Sequence, residues 1–183
     1  MKIAVVTSNP YKVEEVRSFF DSRIEIEHVP LECPEYRHDD VGEIAREKAR
    51  WAYREIKRSL IVDDTAFSID ALGGFPGPYA AYVLRTIGLE GILRLMEDKE
   101  NTHCFFETAI ACAWSGGIQV FRGRVDGRVV APRGDAGFGY DPIVEVGGIT
   151  LAERSLAEKT AISHRGKALR AFSQWASRTL LEI

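Results

Sequence analysis

Residues 61–79 read IVDDTAFSIDALGGFPGPY, and this stretch decides how the rest of the chain is arranged. Leu60, Ile61 and Val62 form a short apolar run that predicts a buried strand. At its end the strand delivers two carboxylates, Asp63 and Asp64, with the Thr65 hydroxyl directly behind them. A turn-rich segment, Gly73-Gly74-Phe75-Pro76-Gly77-Pro78, follows. Carboxylates on rigid backbone at a strand exit suit metal or proton chemistry. The same pair opening a solvated loop would do nothing, so the neighbouring clusters must decide.

Toward the N-terminus, residues 3–6 are continuously apolar and predict a strand buried on both faces. The strand ends at Thr7-Ser8-Asn9-Pro10, where Ser and Asn suit a helix cap and Pro the first turn. Val13, Val16 and Phe20 then recur at helical spacing, with Lys12, Glu14, Glu15 and Arg17 around them. Strand, polar loop, helix N-terminus and early lysine read either as a phosphate cradle or as an ordinary strand-to-helix loop. The glycines of a Walker loop are absent. Residues 24–29 alternate as a strand, and a Pro-containing loop then carries Glu35. Asp39 and Asp40 stand where a long helix should be capped, with Ala45, Ala49, Ala52 and Ile56 as its apolar face. Its cations Arg46, Lys48, Arg50, Arg54, Lys57 and Arg58 read as a solvated face, from which one could reach a phosphate.

Toward the C-terminus, residues 81–97 look helical, broken near Gly88 and Gly91, with Met96 in the core. Residues 103–114 and 118–124 read as strands joined by Ser115-Gly116-Gly117, a hairpin signal, and residues 128–131 as a third antiparallel strand. Such an extension makes the sheet mixed. Gly137-Phe138-Gly139-Tyr140-Asp141-Pro142 follows, then an apolar strand at 143–146. Glycines flanking an aromatic admit a flat ligand, with Asp141 as acceptor for a base N–H, or they form a tight turn. The last element opens at Lys159, with Ser163 as N-cap and Leu169, Phe172, Ala176 and Leu180 as the apolar face of a helix. His164 and Arg165 then lie in its first turn, against the dipole preference for carboxylates, which points to a bound anion.

The chain has 183 residues, 45% hydrophobic and 28% charged, which fits a single domain over 1–183. A net charge of −3 offers no basic field for nucleic acid, so an anionic small ligand needs local Lys, Arg or a metal. Cys33, Cys104 and Cys112 show no CxxC spacing, which argues against disulfides or zinc and fits a reducing cytoplasm. The N-terminal apolar run is too short for a signal peptide, and no run reaches the roughly 20 residues of a membrane helix.

Four clusters, TSNPYK, DDTAFSIDALGGFPGPY, GFGYDPI and SHRGKAL, resemble in order and spacing the inosine triphosphatase family of noncanonical purine nucleoside triphosphate pyrophosphatases. The resemblance runs from Thr7 nearly to the C-terminus. It implies an α/β fold of two lobes, with a central elongated mixed β-sheet flanked by helices and the substrate in the cleft between lobes. It also implies a homodimer and hydrolysis at the α-phosphate. Glu35 and Asp64 would hold Mg²⁺, with Mn²⁺ as a substitute. Thr7, Ser8, Asn9, Pro10, Tyr11, Lys12, Thr65, Lys159, His164 and Arg165 would contact a purine nucleoside triphosphate, and Phe138, Gly139, Tyr140 and Asp141 would frame its base. Ala66, Ala80-Ala81-Tyr82 and Val144 depart from the residues common in the family.

The chemistry follows from charge. A triphosphate carries about four negative charges, which Lys12, Lys159, Arg165 and a metal would neutralise. Asp64, or Asp63, would take the proton of the attacking water. Arg165 would donate to the O6 of a 6-oxopurine, and Asp141 would accept from its N1–H. Two rivals are a Maf-like nucleotide pyrophosphatase, whose Ser-rich loop is not what residues 7–12 show, and a non-catalytic nucleotide-binding or RNA-binding module.

Overall fold

The computed structural model describes residues 2–20 and 24–179. In chain order it comprises β1 (Lys2–Val6), α1 (Pro10–Phe20), β2 (Glu25–Val29), α2 (Val41–Ile56), β3 (Leu60–Ile69), β4 (Pro76–Gly77) and α3 (Ala80–Leu95). There follow β5 (His103–Trp114), β6 (Gly117–Val129), β7 (Val144–Val146), β8 (Ile149–Thr150), α4 (Leu156–Ile162) and α5 (His164–Thr179). The eight strands form one sheet in the order β2-β1-β3-β5-β6-β7-β8, with β4 on β3. Helical crossovers make β2, β1 and β3 parallel, and the tight turn after Trp114 makes β5 and β6 antiparallel, so the sheet is mixed as expected.

Alternation along the strands sends side chains to two faces. On one face Ile3, Val5, Ile110 and Phe121 pack against Val13, Val16 and Phe20 of α1 and Leu169 and Phe172 of α5. On the other, Ala4, Val6, Ala109 and Ala111 meet the alanine stripe of α2, Ala45, Ala49 and Ala52. The far ends of β3, β5 and β6 build a separate core, in which Phe67, Ile69, Phe106 and Val125 pack with Val83 and Ile92 of α3 and Tyr140. The two lobes therefore share three long strands.

Several boundaries differ from the sequence reading. Asp63 and Asp64 are not at a strand end: β3 continues to Ile69, because β5 pairs with it residue for residue from Leu60↔Ala113 to Ile69↔Cys104. The third antiparallel strand is not at 128–131. β6 runs on to Val129, and β7 takes that place. The helix after Pro78 breaks at Gly88 alone, where φ is 66°, and stays helical through Gly91. Lys159 lies in α4, which Ser163 separates from α5. Asp40, not Asp39, caps α2, its Oδ1 accepting from Gly42 N at 2.7 Å. Leu180 lies outside the described residues.

The register of β3 explains why the carboxylates are reachable although they sit mid-strand. On its other side β3 pairs with β1 only at Leu60 and Ile61, and with β4 only at Phe67 and Ser68. Between these pairings the β3 edge is open for the five residues 62–66. That gap is the mouth of the cleft.

α5 lies so close on β6 that a Cβ at Gly123 would fall 2.1 Å from His164 O and 2.5 Å from Ala168 N. Gly123→Ala should therefore lose about 1–3 kcal/mol by overpacking, since backbone and not a flexible side chain must give way. Urea unfolding midpoints with an unchanged slope would show it.

Candidate active site

The cleft encloses about 430 Å³ and draws its lining from both lobes. Its first wall is the β1–α1 junction. Thr7 Oγ1 accepts from Asn9 N at 3.1 Å, and Asn9 Oδ1 accepts from Tyr11 N at 3.0 Å, so Asn9 caps α1. Thr7, Ser8, Asn9 and Lys12 line the cleft, while Pro10 and Tyr11 do not. Tyr11 is exposed and stacks on Phe138 of the opposite wall, with centroids 5.3 Å apart.

Beneath this wall lies a buried charge network. Lys12 Nζ donates to Asp63 O and pairs with Asp63 Oδ1, both at 3.2 Å. Arg165 Nε donates to Asp63 Oδ2 at 2.8 Å, and its Nη1 donates to Glu15. Lys159 Nζ reaches Glu15 at 2.5 Å and Asp141 at 2.6 Å. Three carboxylates thus meet three cations. Burial alone would raise the Glu15 carboxyl, but the Arg165 and Lys159 charges outweigh it and bring it to about 2. Burial likewise works against ionised Asp63, yet Lys12 and Arg165 hold it well below the ordinary carboxylate range. Both Asp63 oxygens are paired with these cations.

Asp64 points elsewhere. Its Oδ1 accepts from Thr65 N at 3.1 Å and its Oδ2 from Lys48 Nζ at 2.5 Å. Glu35, its side chain 88% exposed, is held among the described residues only by the same lysine, at 3.5 Å. Lys48 is thus drawn out of the solvated face assigned to it. Burial pushes its ammonium down, but Asp64 and Glu35 more than offset this and leave it raised. No group of three or more His, Cys, Asp or Glu side chains among the described residues forms a metal cage. Asp64 and Glu35 instead offer two hard oxygen donors on an open wall, with one negative charge more than Lys48 cancels. Mg²⁺ is commonly held by one or two carboxylates, completed by substrate phosphates and water. The donor set fits it.

The deep wall carries Phe138, Gly139, Tyr140, Asp141 and His164. Lys159 Nζ lies 4.5 Å from the Phe138 ring centroid. Asp141 Oδ2 accepts from Phe138 N at 2.8 Å, which holds the loop in shape. Burial pushes the Asp141 carboxyl up, and Lys159 offsets only part of that. Tyr140 is a core residue whose hydroxyl donates to Ala80 O at 2.7 Å, tying the loop to α3. His164 is not a second cation. Burial, and then the neighbouring Arg165 charge, hold its imidazole well below its ordinary 6.5, so it is neutral at neutral pH. The ring stacks on Phe106 with centroids 4.8 Å apart, and Nδ1 hydrogen-bonds Thr108 Oγ1 at 2.6 Å.

Three residues of the site went unread in the sequence, and a fourth, Lys48, reads there as solvated. Glu15 lies one turn from Lys12 on α1, and Lys48 falls on the buried stripe of α2 between Ile44 and Ala52. Helical period marks Lys48, whereas Glu15 lies off the apolar stripe of α1. Thr108 faces Thr65 across the β3–β5 ladder, which only the register reveals. Arg85, on α3 at the rim, has its guanidinium over the Tyr82 ring at 5.6 Å.

The neutral His164 has a pH consequence. An unfolded chain protonates this imidazole near 6.5 and the folded chain does not, so stability falls as pH drops below that value. The slope from this group is at most about 1.4 kcal/mol per pH unit. Thermal midpoints between pH 7 and 5 should fall, and His164→Gln should remove part of the fall.

Comparison with known proteins agrees with this geometry. The model of the Ham1 family matches residues 3–175. The dITP/XTP pyrophosphatase of Thermococcus kodakarensis is 42% identical, over 98% of this chain and 100% of that protein. That of Pyrobaculum aerophilum is 44% identical over 96% of each. Among solved structures, a HAM1 protein from Coxiella burnetii superposes with a TM-score of 0.85 at 27% identity, covering 98% of this chain and 100% of that one. With the match spanning both lobes and the cleft between them, the chain belongs to the Ham1 family.

Proposed function

We propose that this protein hydrolyses noncanonical purine nucleoside triphosphates, dITP, ITP and XTP, to the nucleoside monophosphate and pyrophosphate. One observation carries the reading: a capped helix N-terminus with Lys12, an open carboxylate pair and an aromatic wall with buried polar groups converge on one cleft. The names of the relatives support the substrate class.

The roles follow from the contacts. Backbone N–H groups at the start of α1, with Lys12, receive phosphates. Lys48 is placed to turn from Asp64 to a phosphate oxygen. Asp64 and Glu35 would hold Mg²⁺, which when bound neutralises phosphate charge and makes a bound water more acidic. Asp64 is assigned the role of general base because, unlike Asp63, it is not tied to Lys12 and Arg165. Asp63, with both oxygens on cations, serves as the counter-ion that positions Lys12 and Arg165. Phe138 stacks on the base. As part of the same reading, the chain works as a homodimer in the cytoplasm. Its three cysteines are unpaired, which suits a reducing compartment.

A panel of triphosphates with phosphate and pyrophosphate assays tests the activity. ITP, dITP and XTP should be good substrates and ATP a very poor one, with pyrophosphate released. In ¹⁸O-water the label should enter the monophosphate, and label in pyrophosphate would overturn attack at the α-phosphate. Asp64→Asn should nearly abolish turnover, and Glu35→Gln should raise the Mg²⁺ concentration needed. Near-normal turnover of either at limiting Mg²⁺ would overturn the metal and base assignment.

A further inference from the structure

Behind the deep wall the hydrogen bonds form one continuous chain. Arg165 Nη2 lies 3.2 Å from Thr65 Oγ1, Thr65 Oγ1 lies 2.6 Å from Thr108 Oγ1, and Thr108 Oγ1 lies 2.6 Å from His164 Nδ1. A guanidinium only donates, so Thr65 Oγ1 accepts at the first link. Thr108 Oγ1 is the one acceptor within reach of the Thr65 proton among the described residues. The opposite ordering, with His164 Nδ1 donating to Thr108 and Thr108 to Thr65, would turn that proton into the cleft, which Thr65 lines. With Thr65 donating to Thr108, the proton of Thr108, which is fully buried, goes to His164 Nδ1. A neutral imidazole that accepts at Nδ1 carries its proton on Nε2. Nε2 makes no hydrogen bond to the described residues, and the ring lines the cleft.

We propose that Thr108, fed from Arg165 through Thr65, is a positioning residue that holds His164 in its Nε2–H form and so presents a fixed donor to the 6-oxo group of the base. The proposal rests on the pyrophosphatase reading above. A 6-oxopurine meets the donor with an acceptor. Adenine meets it with an amino group, donor against donor, and strands both. Thr108 touches no substrate; it acts through the imidazole.

Thr108→Val keeps shape and removes the hydroxyl, while Thr108→Ser restores it. In ¹⁵N spectra of the wild-type protein, His164 should show one pyrrole-like nitrogen, Nε2, and one pyridine-like nitrogen, Nδ1. Thr108→Val should move both resonances toward an averaged pair and lower the ITP-over-ATP ratio of kcat/KM on the order of tenfold, and Thr108→Ser should recover both. Should the valine variant fail to fold, Thr65→Val breaks the chain one link earlier and should give the same spectral change. An unchanged pair of resonances in a folded variant would overturn the role of Thr108. A changed pair with an unchanged selectivity ratio would overturn the role of Nε2–H in reading the base. The spectra need no turnover, so a wild-type protein inactive on every triphosphate would sink the proposed function while leaving the tautomer result standing.

Discussion

A guanidinium buried to 1% exposure must find its compensation inside the protein, and in this chain that requirement assembles the site. Arg165 enters on α5 and is met by Glu15 from α1 and Asp63 from β3. Desolvating such an ion costs several kcal/mol, and removing one partner of a buried pair typically costs about 3–5 kcal/mol. The three elements are therefore held in one mutual position by a cation that none of them could bury alone. Lys12, on the same helix as Glu15, is fixed relative to β3 by the same arrangement. Stability and site geometry share a cause here.

The carboxylates divide their labour according to where their oxygens end up. Adjacent residues on a strand face opposite ways. Asp63 turns toward Lys12 and Arg165 and Asp64 toward Lys48, so one DD pair serves two different ion-pair groups on the cleft wall. The open edge of β3 between its pairings with β1 and β4 makes the second of these accessible. A continuous strand neighbour there would have sealed the mouth.

Much of this was legible in the residues. The apolar runs of β1 and β3, the alanine stripe of α2, the β5–β6 hairpin and the capped strand-to-helix turn at Thr7 each follow from local pattern. The true length of β3 was not, because Asp63 and Asp64 read as a terminus, and only pairing with β5 carries the strand past them. Lys48 looked solvated because lysine is usually exposed, although its helical phase placed it inward. The neutrality of His164 was hidden because it depends on burial and on a cation supplied by the fold. Thr108 carries no local signal, since its importance comes from the register that sets it opposite Thr65.

The three long strands have a mechanical meaning. β3, β5 and β6 contribute side chains to the cores of both lobes without interruption, as Ile61 and Phe67, Ile110 and Phe106, and Phe121 and Val125 show. No flexible linker joins the halves across these strands. Widening of the cleft would therefore have to bend the sheet itself against the β3–β5 and β5–β6 ladders, as a leaf spring bends, rather than turn two bodies on a hinge.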